Sequence, residues 1–158
     1  MVRAREVPGL SCDDSFRQAA GKILWTRFDE MMSFRAEALK GKDIEGVHDM
    51  RVASRRLRAA LEIFRDVFSR KQYRELRAEI KLVADALGEV RDLDVLQEHL
   101  ELDRRDRPRS QQLVLKAMLE DLRQHRQGAR ENLKLTLTQA EESGLPRRFL
   151  GAVALETS

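Results

Sequence analysis

Residues 47–64 read VHDMRVASRRLRAALEIF, which holds four arginines and one histidine. Arginine offers a planar fork of donors matched to phosphate and carboxylate oxygens, and it stays charged at any physiological pH. Arg51, Arg55 and Arg58 are spaced i, i+4, i+7, so on a helix their side chains stack along one face, about 5 Å apart. Like charges placed this way repel by roughly a few tenths of a kcal/mol per pair. Only Glu62 stands on the same stripe to relieve them. A solvated helix face interleaves acids with bases, as Arg27, Glu30, Arg35 and Glu37 do upstream. The ridge of Arg51, Arg55 and Arg58 does not, and it points to an anion. His48 heads the ridge, and Arg56 flanks its opposite border.

The elements that must hold these side chains are helical. Asp13 or Ser15 can cap a first helix that runs through Leu39 and ends near Gly41. Asp43 caps a second, from about Ile44 to Ser69, with Met50, Leu57, Leu61, Phe64 and Phe68 as its core stripe. A third starts near Lys71, reaches Gly88, and continues through RDLDVLQEHLELD after a bend. A fourth spans about Ser110 to Glu142 and ends at Gly144 and Pro146. No segment alternates like a strand. The expected fold is all-α, an antiparallel four-helix bundle with long helices. Residues 1–12 are expected as a flexible N-terminal segment, 13–150 as a single bundle and 151–158 as a tail, with the stretch after Gly144 fraying. Met31, Met32, Met50 and Met118 read as core filler.

The third helix adds cations. Arg74, Arg77, Lys81 and Arg91 share one side, opposite the core positions Leu76, Ile80, Val83, Leu87 and Val90. Gly88 lies on the basic side, where a missing side chain lets a ligand approach the backbone. The formal net charge is only +3, but between Val47 and Arg74 eight Lys or Arg face three acids, so the charge is local. Repeated arginines at one-turn spacing suit a linear ligand with repeated phosphates, and both DNA and inorganic polyphosphate qualify. Single-strand binders add aromatic stacking platforms, and groove readers add Asn or Gln aimed at base edges. This helix carries neither, so the pattern favours phosphate alone and makes nucleic acid an unlikely partner.

Other chemistries fail on spacing. Glu45-Gly-Val-His48 matches one Glu-x-x-His step of a carboxylate di-iron bundle, but no second step follows, and the arginines beside His48 would repel a metal. His48, His99, His125 and Cys12 are too scattered for zinc. No nucleophile lies at i+3 or i+4 from His48, so catalysis has no support. No metal, cofactor or enzymatic activity is expected. The single cysteine excludes an intramolecular disulfide, no run of about 18 apolar residues could span a bilayer, and the first residues lack the apolar core of a secretion signal. The expected compartment is the cytoplasm, with no membrane partner.

The H-x-x-R-V-x-x-R-R-L-R run at residues 48–58, followed by L-G-x-x-R-D-L-D-V at 87–95, resembles the CHAD family, the conserved-histidine α-helical domains. The resemblance spans about Asp13 to Phe149 and implies a helical protein that binds inorganic polyphosphate in a basic groove, in some members at polyphosphate granules. It puts His48, Arg51, Arg55, Arg56 and Arg58 on the ligand-facing helix, with Lys81 and Arg91 joining from the next. The family usually has two four-helix bundles, and this chain has one. Either two chains pair as a homodimer to rebuild that architecture, or this is a shortened member that binds more weakly. A helical module docking an acidic protein, or binding nucleic-acid phosphates non-specifically, is the alternative function.

Overall fold

The computed structural model describes residues 2–154, and the fold is all-α. Four long helices make the body: α1 (Phe16–Ser33), α3 (Glu45–Ile63), α4 (Arg70–Arg105) and α5 (Arg109–Glu142). A short α2 (Arg35–Lys40) lies between the first two of these, and α6 (Leu145–Ala154) follows α5.

Local sequence explains the boundaries. Ser15 and Ser69 each close a capping box with the glutamine three residues on, Gln18 and Gln72, starting α1 and α4. Asp43 accepts the Glu45 amide at 3.0 Å ahead of α3. The first helix, expected to run unbroken to Leu39, breaks at Phe34, the shared cap of α1 and α2. Gly41 ends α2 in the left-handed region at φ 64. There the Arg130 guanidinium from α5 lies where a Cβ would sit and donates to Leu39 O at 3.1 Å. Gly46 lets α3 press on α2, since a Cβ would come within 2.5 Å of the Glu37 backbone. α3 stops at Ile63 rather than Ser69, giving way to a 3₁₀ turn at Arg65–Val67. α4 passes through Gly88 without interruption.

The core matches the apolar stripes. Met50, Leu57 and Leu61 of α3 and Leu76, Ile80, Val83, Leu87 and Val90 of α4 are buried together. The stretch after Gly144 is not a frayed end. Through Ala154 it is a helix, and Phe149 is fully buried, stacked on Phe28 of α1 with centroids 4.3 Å apart. Residues 155–158 lie outside the described residues. The N-terminal segment, expected to be flexible, runs alongside α1: the Arg5 amide donates to Glu30 and its guanidinium pairs with Asp29. Beyond Val90 the α4–α5 pair extends past the core cluster with Leu96, Val114 and Met118 exposed. Met118, expected in the core, is 49% exposed, because at its level α5 packs only against α4.

Candidate anion-binding site

α3 and α4 run antiparallel, with Arg51 over Gly88 at one level and Glu62 bonded to Tyr73 at another. Between them lie two depressions that share Arg55 and Arg58. One, about 310 Å³, is bounded also by Glu62 and Arg77. The other, about 570 Å³, is bounded by Arg51 on the α3 side and by Asp85, Glu89 and Asp92 on the α4 side. Ser54, Ala84 and Gly88, three small residues, lie along the second. A Cβ on Gly88 would meet only Arg51 Nε, at 3.9 Å. Small residues at this seam leave open space between the helices while the long side chains form walls.

Arg51, Arg55 and Arg58 therefore stand in one row, as the i, i+4, i+7 spacing requires. None of the three guanidinium groups makes an ion pair or a hydrogen bond among the described residues. Glu62 does not neutralise them, since it accepts the Tyr73 hydroxyl at 2.7 Å and lies 3.8 Å from Arg65. Burial, then the Glu62 hydrogen bond and charge, raises the Tyr73 pKa. His48 and Arg91 are half-buried and border neither depression, and His48 Nδ1 and Arg91 Nη1 are both buried without a hydrogen-bond partner among the described residues. Beside His48, Asp49 has its carboxyl pKa raised, first by burial and then by Glu45, with His48 opposing.

Two further expected site residues are already ion-paired. Arg56 is turned away from the row: it pairs with Glu30 of α1 at 3.1 Å and also donates to Val2 O. Glu30 is only 2% exposed and also holds Arg27 at 2.5 Å. Arg56 thus serves a buried carboxylate, and an adjacent residue on a helix lies about 100° round the axis from Arg55. Lys81 is exposed and paired with Asp85 at 2.6 Å, one turn along its own helix, and borders neither depression. Two features were not in the expected set. Arg77 borders the depression at the Arg58 end, and its place on the basic side of α4 was the available signal. The acids Asp85, Glu89 and Asp92 also share the groove. Their i, i+4, i+7 spacing around Gly88 marks them as one stripe, although only the pairing of the two helices shows what they face.

A second charged cluster supports the bundle end. Asp94, 2% exposed, accepts from Arg126, and burial and the neighbouring Arg126 lower the Arg130 pKa while Asp94 opposes. Among the described residues there is no group of three or more His, Cys, Asp or Glu arranged to hold a metal, and no helix long and apolar enough to cross a membrane.

A chain built this way is an all-helical bundle domain with a groove between α3 and α4 walled by unpaired arginines. The CHAD domain family model matches residues 22–157, nearly the whole chain, and the chain belongs to that family. CHAD domains are generally binding domains associated with polyphosphate. No curated protein and no solved structure matches the chain.

Proposed function

We propose that this protein is a non-enzymatic module that binds inorganic polyphosphate along the α3–α4 groove. Arg51, Arg55 and Arg58 supply the track, Arg77 extends it at one end, and His48 and Arg91 supply donors at the other. The observation that carries this reading is the row of three guanidinium groups, one turn apart and all unpaired. Each is free to give a charge-assisted bond to successive phosphates. Lys81 contributes by trading Asp85 for phosphate, and Arg56 supports α3 from the other side. No aromatic side chain borders either depression, which favours a bare phosphate chain over nucleic acid. The proposal includes a cytoplasmic location, at polyphosphate granules where these form. It also includes pairing of two chains, supported by the exposed Leu96, Val114 and Met118.

Calorimetric titration of the native protein with long-chain polyphosphate, beside duplex DNA at equal phosphate concentration, tests the reading. Polyphosphate should bind, more weakly as salt rises because counterions are released, and DNA should compete poorly. Comparable binding of DNA would favour a general nucleic-acid module. A folded protein indifferent to both would leave the groove to an acidic protein partner.

A further inference from the structure

The groove is not basic throughout. Across from Arg51, Arg55 and Arg58 stand Glu89 and Asp92, both exposed, and neither forms an ion pair or hydrogen bond among the described residues. Asp85, the third acid of the stripe, is already held by Lys81. Two free carboxylates beside three free guanidinium groups weaken the groove's pull on any anion, which a simple anion trap would avoid. We infer that Glu89 and Asp92 are specificity-determining residues, forming a repulsive wall that admits a thin phosphate chain and rejects a wide polyanion.

The discrimination comes from the ligand's width. A single phosphate chain can lie on the α3 wall, against the arginines, and keep away from α4. A duplex is too broad to touch one wall alone, and its backbone is pressed towards the carboxylates. Each carboxylate repels every phosphate brought near it, and more strongly where solvent is displaced. Discrimination by a built-in repulsive element is a general way to reject a competitor that shares the attractive chemistry. Gly88 fits this scheme: it lies next to Glu89 and one turn before Asp92, and Arg51 Nε is the one atom within 4 Å of where its Cβ would be. Both carboxylates thus flank the site where the first guanidinium of the row meets α4.

This inference rests on the polyphosphate reading of the same groove, and the test separates the two. Glu89→Gln/Asp92→Asn and a control, Glu98→Gln/Glu142→Gln, change net charge equally. The control sites are exposed and lie outside both depressions. Each protein is titrated with long-chain polyphosphate and with a short DNA duplex at fixed salt. The wall predicts DNA affinity up about tenfold or more in the groove variant, polyphosphate affinity up only about threefold, and both changed less than about twofold in the control. DNA affinity that stays flat or falls, or rises equally in the control, overturns the wall. Tightened DNA binding with no polyphosphate binding in any protein would keep the wall and sink the polyphosphate reading.

Discussion

Arg55 and Arg56 are neighbours in sequence and opposites in circumstance. Arg55 faces α4 in an open groove and has no partner among the described residues, whereas Arg56 faces α1 and is locked to a buried carboxylate. The α1 side of α3 is a closed network in which Glu30 serves Arg27, Arg56 and the Arg5 amide. The α4 side is an open row in which arginine and carboxylate stand near each other without pairing. An arginine's role on this helix is therefore set by what the opposing helix presents, not by its own identity. The closed side should govern stability and the open side binding.

The largest effect is expected on the closed side. Glu30→Ala removes the one acid shared by two partly buried guanidinium groups, and uncompensated charge of this kind costs about 3 kcal/mol. For a domain of this size that lowers the melting temperature by roughly 10 °C, read by thermal unfolding, while polyphosphate affinity of the folded protein holds. A smaller contrast comes from two glycines. Gly46→Ala forces a methyl to within 2.5 Å of the Glu37 carbonyl carbon and should cost about 1–3 kcal/mol. Gly88→Ala meets only Arg51 Nε at 3.9 Å, so the better helix former should add up to about 1 kcal/mol in chemical denaturation. A destabilised Gly88→Ala would mean that the groove is closed.

The smallest effect concerns Asp49, whose carboxyl pKa is raised chiefly by burial. A raised carboxyl pKa means that the folded state holds the proton more tightly, so stability is lost as pH rises through it. Asp49→Asn should therefore raise the melting temperature slightly at pH 7. At about pH 3, where the carboxyl is mostly protonated in both states, the gain should vanish. A gain that persists at low pH would assign it to something other than ionisation.

Much of this was legible in the sequence. The α4 core stripe from Leu76 to Val90 was plain because apolar spacing repeats over several turns of a long helix, and the Arg51–Arg55–Arg58 row follows from helical geometry alone. The break at Phe34 was hidden, since the apolar period runs across it. α6 was also hidden: Gly144 and Pro146 read as stop signals, yet a proline in a helix's first turn removes no intrahelical bond, and Phe149 gains a fully buried place against Phe28. The Arg56–Glu30 pair is hidden because Glu30 is far away in the chain. The Glu89–Asp92 wall could not be seen without the register of α3 on α4.

The central claim is most directly tested by titrating Arg55→Ala and Arg56→Ala side by side with long-chain polyphosphate, with thermal unfolding of each. The two-sided account predicts a crossover. Arg55→Ala should lose about tenfold in affinity, the worth of one charge-assisted bond, with stability within about 0.5 kcal/mol of native. Arg56→Ala should bind within about twofold of native but lose about 2 kcal/mol of stability, since it leaves part of Glu30's charge unmatched. If Arg56→Ala weakens binding at unchanged stability, or if Arg55→Ala binds as tightly as native, the division of α3 into a structural side and a ligand side is wrong.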